Sequence, residues 1–313
     1  MTSPSAEPRS RIVIAGGSGF IGSALAAHFV GKGHDVVVLT RKAHARRDGV
    51  REVAWNGRSF GPWAKELDGA SAVINLTGKN INCRHTNKNR REIIASRVVS
   101  VRAIADAIGA SATPVPVWVQ SGAVGIYGNA GDALCDESAP HGQDFMADVC
   151  EQWEAAFRAA LTPNTRRVVL RFGIVLGRDG GALPTLASLA RWGLGGTAGS
   201  GRQYISWIHR DDLVSIVDRA ITSAMTGPYN AANHVPETNA AFMKRLRGAV
   251  NRPWSPPVPV FAVQIGAYLI GTEASIALHG QRCVPRRLDA EGFAFVHEDL
   301  GQALTSLLRA SSV

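Results

Sequence analysis

The chain has 313 residues, of which 45% are apolar and 19% are charged. This length and composition exclude disorder as the global state and predict one large domain or two intimately packed ones. Lys and Arg number 34 against 25 Asp and Glu, giving a formal net charge of +9. Such an excess is typical of proteins that bind a nucleic acid, an anionic surface or a small phosphate-rich ligand.

The N-terminal residues, the most apolar stretch and the cysteines indicate where the protein is located and whether it binds a metal. Residues 1–10 are polar, carry no apolar stretch and are expected to form a disordered tail rather than a signal peptide. The most apolar stretch, residues 258–278, is interrupted too often to span a membrane. The four cysteines lack Cys-x-x-Cys spacing and no His-Glu-x-x-His pair occurs, so no metal site is predicted. We expect a cytoplasmic protein with reduced thiols.

Apolar strands alternating with helices predict the fold in chain order. The expected strands are 11–15, 35–40, 50–55, 70–76, 115–121 and 167–172; the expected helices between them are 20–32, 87–108 and 145–160. Continuous apolar strands of this kind indicate an α/β protein with a doubly wound parallel sheet of Rossmann type. Residues 11–180 are predicted to form the dinucleotide-binding domain. Residues 181–313 form a smaller, interleaved substrate lobe, with helices at 183–192, 211–225, 239–250 and 300–308.

The strongest motif is the glycine-rich segment at residues 16–22, directly between the first strand and the first helix. Glycines three apart allow a tight turn, close approach of a pyrophosphate, and close packing of the helix. A merely structural turn is the alternative. The residues predicted to contact a dinucleotide here are Gly16, Ser18, Gly19, Phe20, Ile21 and Gly22.

The end of the second strand indicates which dinucleotide is bound. NAD enzymes usually place an acid there to hold the ribose 2′-hydroxyl. Here the residues are Thr40, Arg41 and Lys42. A hydroxyl followed by a guanidinium suits a 2′-phosphate, so Thr40 and Arg41 predict NADP. A solvated turn with ordinary surface charges is the alternative.

Several motifs together resemble the extended short-chain dehydrogenase/reductases, and most closely an atypical branch known as epimerase-family proteins. They lie at residues 16–22, 75–78, 96–98, 121–128, 170–177, 199–203, 207–213 and 280–285. The last belongs to a C-terminal segment, about 257–308, that is characteristic of the branch. The resemblance covers residues 11 to about 308 and implies further cofactor contacts at Leu76, Thr77, Gly78, Glu92, Arg97 and Val175. For Glu92, a solvated helix charge is an equal alternative.

The chain departs from the wider superfamily in its catalytic residues. Typical members use Tyr-x-x-x-Lys, in which the lysine lowers the pKa of the catalytic tyrosine and holds the ribose. None of the four tyrosines here is followed by lysine at that spacing, and residues 145–150 read Phe-Met-Ala-Asp-Val-Cys. The usual proton relay is therefore absent.

Two hydroxyls are the candidate replacements. Ser121 is expected to end the fifth strand, where relatives place a catalytic serine, and Tyr127 follows six residues later. Packing is the alternative role for Tyr127. Cys150 is more simply a buried thiol than a nucleophile, and His209 with two aspartates after it resembles an acid–base cluster only weakly. A basic cluster is either a solvated face or a site for an anionic substrate: Arg84, His85, Lys88, Arg90 and Arg91.

Two functions stay open on the sequence alone. The first is an NADP-dependent oxidoreductase or epimerase acting on a small, anionic or nucleotide-linked substrate. The second is a catalytically inactive NADP-binding regulatory or scaffold protein, for example one linked to cell division. We expect no nucleic acid or membrane partner, because no recognition motif or lysine-rich arm is present, and a homodimer is compatible with the family resemblance.

Overall fold

The computed structural model describes residues 10–309, so the predicted tail lies outside it apart from Ser10. The strands are β1 (Arg11–Ala15), β2 (Asp35–Thr40), β3 (Val50–Ala54), β4 (Ala70–Asn75), β5 (Val117–Ala123), β6 (Leu134–Cys135), β7 (Arg166–Phe172), β8 (Ile174–Gly177), β9 (Gly180–Gly181), β10 (Tyr204–Ile205), β11 (Trp207–His209), β12 (Gly227–Ala231), β13 (Glu237–Thr238) and β14 (Arg282–Cys283). The helices are α1 (Phe20–Gly31), α2 (Asn87–Ala110), α3 (Phe145–Arg158), α4 (Leu183–Arg191), α5 (Arg210–Thr222), α6 (Asn239–Ala249), α7 (Val260–Ile270), α8 (Ser275–Leu278), α9 (Arg286–Ala290) and α10 (Leu300–Arg309).

Seven parallel strands form the central sheet in the order β12-β7-β5-β4-β1-β2-β3. Apolar side chains of α1 and α5 pack on one face, and those of α2 and α3 pack on the other. Burial on both faces explains why the strands read as continuous apolar runs rather than alternating ones. The predicted doubly wound Rossmann-type fold is confirmed. The carboxyl ends of β1, β4, β5 and β7 share one edge, where ligands of such sheets bind.

The later part of the chain is divided between this sheet and a second layer. The strand β12 extends the central sheet, whereas α4, α6 and α10 pack together around Trp207 in a separate apolar core. A three-stranded sheet, β11-β8-β9, links the two parts. None of the helices within residues 10–309 combines the length and the apolar character that a membrane crossing requires.

The structure differs from the sequence prediction at one strand boundary in the site and in one helix. The fifth strand runs over Val117–Ala123 rather than 115–121. Pro116 has no N–H for the ladder, which fits the later start, and pairing with β7 continues as far as Ala123 and Phe172. Ser121 therefore lies two residues inside the strand, paired with Leu170, rather than at its end. The helix α7 was not predicted at all, since it is apolar around most of its circumference and follows a proline-rich segment.

Candidate cofactor and substrate site

The glycine-rich loop makes a tight turn against the end of β4. Gly16 has φ +74°, and a Cβ at this position would lie 3.1 Å from the backbone nitrogen of Thr77. Its own N–H donates to the carbonyl of Leu39 at 2.9 Å. A side chain is thus excluded both by the left-handed backbone and by the neighbouring segment.

The rest of the loop brings a free helix N-terminus to the sheet edge. A Cβ on Gly22 would lie 2.4 Å from the Cα of Gly17, so the first turn of α1 packs directly on the loop backbone. Gly19 is the N-cap and no side chain caps α1. A Cβ on Gly19 would come no closer than 3.9 Å to the atoms around it, so this side of the loop is open. Uncapped N–H groups beside open space fit a pyrophosphate.

Phe20 connects this loop to the second layer. Cβ atoms built on Gly177 and Gly180 would lie 2.4 Å and 2.6 Å from its ring. The ring thus fills a groove that only glycines leave open in the β8–β9 hairpin. Val175, in β8 and 8% exposed, pairs with Ile208 of β11 beside this contact.

The end of β2 comes together with the glycine loop as the NADP prediction requires. The Thr40 hydroxyl donates to the Ser18 hydroxyl at 3.3 Å, although the two residues are 22 positions apart. Arg41 follows and is exposed. A 2′-phosphate between these groups would meet two hydroxyls and a guanidinium.

Thr77 has an unsatisfied polar atom at the same edge. Its backbone N–H donates to Asn75 Oδ1 at 3.0 Å, which fixes the turn after β4. Its hydroxyl is buried, yet it has no hydrogen-bonding partner among the described residues. Buried hydroxyls nearly always have a partner, so this one fits a bound group that accepts or donates there. Leu76 and Gly78 flank Thr77, just beyond β4 rather than in it.

Glu92 and Arg97 both lie on α2, but their surroundings differ. The Glu92 carboxylate accepts from Nζ of Lys79 at 2.5 Å, and this contact lowers the pKa of Glu92. Arg97 lies deeper, with its guanidinium over the ring of Trp153 at 4.9 Å. Burial lowers the pKa of Arg97. That Glu92 and Arg97 contact the cofactor stays a prediction.

Ser121 is 5% exposed and its hydroxyl donates to the carbonyl of Asn75 at 2.8 Å. The backbone of β4 therefore holds the serine in place. Rotation about the Cβ–Oγ bond would be needed before this hydroxyl could donate to a substrate oxygen.

Tyr127 is 3% exposed and takes part in a polar network inside the protein. Its hydroxyl donates to Asn230 Oδ1 at 2.8 Å and accepts from Arg171 Nη1 at 2.8 Å. Arg171 also forms a bidentate pair with Glu154 at 2.8 and 2.9 Å. Burial is the main cause that raises the pKa of Tyr127. The predicted catalytic role of Tyr127 remains untested by these contacts.

Sequence reasoning missed three members of this network: Glu154, Arg171 and Asn230. They lie on α3, β7 and β12, and Asn230 is 103 positions from Tyr127. No local pattern links them. The one available signal was Arg171 between Leu170 and Phe172 in the apolar part of β7, because a charge at such a position is uncommon unless it is paired.

His209 stacks on His297, and its Nδ1 atom lies 3.7 Å from the Asp211 carboxylate of its own segment. The two rings stack at 3.5 Å with an interplanar angle of 26°. His209 Nδ1 accepts the Asp211 N–H at 3.1 Å, which caps α5. Ligand atoms of His209, Asp211 and His297 lie within 4.8 Å of one another. Imidazole lone pairs lie in the ring plane, so two rings stacked face to face direct them within nearly parallel planes 3.5 Å apart, which suits ring packing better than convergence on one ion.

The basic cluster joins the segment after β4 to the α7–α8 hairpin. Arg84 donates to the carbonyl of Tyr268 at 2.7 Å and lies 4.0 Å from the centre of its ring. The His85 N–H donates to Glu273 at 2.6 Å, and Arg90 stacks on Phe145. Arg84 and His85 therefore hold the α7–α8 region against the segment after β4.

The sheet order and the glycine loop together define a Rossmann-type dinucleotide-binding protein. Residues 12–232 match the model of the NAD dependent epimerase/dehydratase family, and residues 258–307 match a domain of unknown function, DUF1731. The chain belongs to the NAD dependent epimerase/dehydratase family. The resemblance to atypical short-chain dehydrogenase/reductases is thereby confirmed.

Individual relatives and solved structures agree with this assignment. An epimerase family protein of Mycobacterium tuberculosis is 37% identical over 94% of this chain and 96% of its own length. The crystal structure of human epimerase family protein SDR39U1 with NADPH has a TM-score of 0.85 and 33% identity, covering 96% of this chain and 99% of that one. A nucleoside-diphosphate sugar epimerase from Corynebacterium glutamicum has a TM-score of 0.76 and 32% identity, covering 96% of this chain and 58% of that one.

Proposed function

We propose that this protein binds NADP(H) and oxidises, reduces or epimerises a small substrate at the carboxyl edge of the central sheet. One observation carries the proposal: Thr40 and Ser18 meet at 3.3 Å, with Arg41 beside them, where the adenosine ribose of a bound dinucleotide would lie. No acid stands at the end of β2 to compete with a 2′-phosphate. NADPH in the solved human relative supports the same choice.

The residues present fit the whole dinucleotide. Uncapped N–H groups at Gly19, Phe20 and Ile21 would bind the pyrophosphate. The unpartnered Thr77 hydroxyl would form a hydrogen bond with the part of the dinucleotide that lies at the end of β4. Leu76, Gly78, Glu92, Arg97 and Val175 are the remaining proposed contacts. When bound, the nicotinamide supplies or accepts a hydride at C4.

Ser121 and Tyr127 are the proposed catalytic residues. Ser121 would hold the substrate oxygen after its hydroxyl turns from the Asn75 carbonyl. Tyr127 would have to release Asn230 before it could donate a proton. A small substrate, anionic or nucleotide-linked, suits the positive charge near the cleft, including exposed Lys88 and Arg91.

A second candidate, an NADP(H)-binding protein without catalysis, is favoured by one specific observation. Both candidate hydroxyls are engaged inside the protein, at 2.8 Å from Asn75 O and 2.8 Å from Asn230 Oδ1. The Tyr-x-x-x-Lys pair that normally drives proton transfer is absent as well.

The experiment mixes purified protein with a panel of carbonyl compounds, alcohols and nucleotide sugars, in one set saturated with NADPH and in a second set with NADP⁺. The second set is needed because oxidation and epimerisation begin with hydride transfer to the oxidised cofactor. In that set, a gain of NADPH absorbance reports oxidation. Loss of NADPH absorbance reports reduction. Proton NMR of each nucleotide sugar in deuterated water reports epimerisation, which consumes no net cofactor. The enzyme proposal predicts turnover of at least one compound, abolished in Ser121→Ala. Tight NADPH binding with no turnover by either readout would support the non-catalytic candidate instead.

A further inference from the structure

The face of α3 turned toward the segment after β5 lacks the usual catalytic pair. A Cβ built on Gly125 would lie 3.8 Å from Met146 Cβ and 3.7 Å from Cys150 Sγ. Met146 and Cys150 are four residues apart, hence neighbours on one helix face. This is the spacing at which typical short-chain dehydrogenases carry tyrosine and lysine. Here the two positions hold a thioether and a thiol that is 2% exposed.

The guanidinium of Arg97, on α2, lies near this face of α3. The Cζ atom of Arg97, on α2, lies 4.9 Å from the ring centre of Trp153, which is three residues beyond Cys150 on α3. A Cβ built on Gly78 would lie 3.1 Å from that Cζ atom. The guanidinium therefore lies between the end of β4 and the face of α3 that carries Cys150.

The contacts of Arg97 leave its charge without an internal counter-ion. Nη1 donates to the carbonyls of Lys79 and Ile93, at 3.1 and 3.0 Å. Within residues 10–309, no carboxylate lies within ion-pair distance of Arg97, whereas Arg171 is paired with Glu154 at 2.8 Å. Arg97 is half-buried, and a cation withdrawn from water without a carboxylate partner is costly unless a ligand completes its bonding.

We infer that Arg97 takes the place of the missing lysine: it binds the ribose next to the nicotinamide and presents its positive charge to the reacting oxygen. This rests on the proposed function. Arg97 is permanently protonated, so it is a positioning and electrostatic residue rather than an acid. The proton must come from Ser121, Tyr127 or water.

The test compares two ligands by calorimetry. NADP⁺ carries the nicotinamide ribose, whereas 2′,5′-ADP carries only the adenosine half with its 2′-phosphate. Arg97→Met is expected to weaken NADP⁺ about 10- to 100-fold, the usual value of a charge-assisted hydrogen bond. It should change 2′,5′-ADP affinity by less than about twofold, because the inferred bond is to the other ribose, which this ligand lacks. Exposed Arg102 on the same helix provides the control, and Arg102→Met should leave both ligands unaffected.

A lysine introduced at position 150 tests whether Arg97 takes over the role of the missing lysine. Arg97→Met with Cys150→Lys should regain most of the lost NADP⁺ affinity, since lysine would then extend from the usual position on α3. Equal weakening of both ligands in Arg97→Met, or of neither, overturns the inference. So does a double variant that binds 2′,5′-ADP normally but regains no NADP⁺ affinity. If the unmodified protein binds neither ligand, the proposed function fails instead.

Discussion

Nη1 of Arg171 donates a 2.8 Å hydrogen bond to the hydroxyl of Tyr127, which itself donates to Asn230. The same guanidinium pairs with Glu154, and the two charged side chains are only 3% and 5% exposed. This network connects β7, α3, β12 and the segment after β5. It links these elements to one another, and it holds Tyr127 by both its donor and its acceptor.

Removing one charge from this network should be strongly destabilising. Arg171→Met leaves the Glu154 carboxylate buried without a partner, and breaking such a pair typically costs about 3–5 kcal/mol. Urea denaturation would measure the change. Arg202→Met is the control, because Arg202 is 80% exposed and its pair with Asp132 is at 3.5 Å, so a loss under about 1 kcal/mol is expected. Similar losses in both variants would contradict the structural role of the Arg171 pair.

Tyr127→Phe should separate the structural role of the hydroxyl from cofactor binding. The change leaves Asn230 Oδ1 without its donor and removes one acceptor for Arg171, which should cost about 1–3 kcal/mol of unfolding free energy. NADPH affinity should be unchanged, since the hydroxyl contacts the network rather than the glycine loop. Calorimetry and urea denaturation on the same sample give both values. A loss of NADPH affinity without a loss of stability would show that the hydroxyl faces the ligand.

Adding one methyl group to the glycine loop should disturb both stability and binding. In Gly22→Ala the new Cβ would lie 2.4 Å from Gly17 Cα. The start of α1 must therefore shift, at about 1–3 kcal/mol. Gly31→Ala is the matched control on the same helix, because a Cβ there meets nothing within 4 Å. We expect weaker NADPH binding in the first variant only; equal binding in both would refute the close packing at Gly22.

His209 should make the protein less stable in mild acid. Burial, followed by the nearby charge of His297, lowers the pKa of His209 from 6.5 to about 4, outweighing the opposing effects of Asp211 and Asp212. Between these values the unfolded chain binds a proton that the folded chain does not, so stability is lost as the pH falls from about 6.5 toward 4.

Chemical denaturation at two pH values tests this effect. Between pH 7 and about pH 5 the histidine should account for a loss of about 2 kcal/mol. His209→Asn removes the titrating ring while keeping a side-chain acceptor that can cap α5. The variant should therefore lose about 2 kcal/mol less than the unmodified protein over that interval. An identical pH dependence in both would mean that His209 does not titrate as the packing requires.

The central sheet could be predicted from sequence because each strand is a short apolar run buried on both faces. Local context also identified the glycine loop and the groups at Thr40 and Arg41. The end of β5 was misplaced by two residues because its pairing with β7 continues to Ala123, a contact between strands far apart in the chain that the apolar run alone does not show. The helix α7 was missed because its apolar residues show no helical period.

Other parts of the site depend on contacts that no local pattern contains. Tyr127 meets Asn230 across 103 positions, and His209 stacks on His297 from the far end of the chain. The sequence also shows that lysine is absent near Cys150, but not that Arg97 reaches this place from α2. Such contacts follow from the packing of whole elements rather than from residue spacing.

The most direct measurement is the affinity for NADPH and NADH, by calorimetry, of the unmodified protein and of Arg41→Asp. The unmodified protein should bind NADPH about 10-fold or more tightly than NADH, because Arg41 forms a charge-assisted bond with the 2′-phosphate. Arg41→Asp should abolish or reverse that preference with little effect on NADH. Tighter binding of NADH than NADPH by the unmodified protein, or equal loss of both ligands in Arg41→Asp, would contradict the assignment of this site to NADP(H).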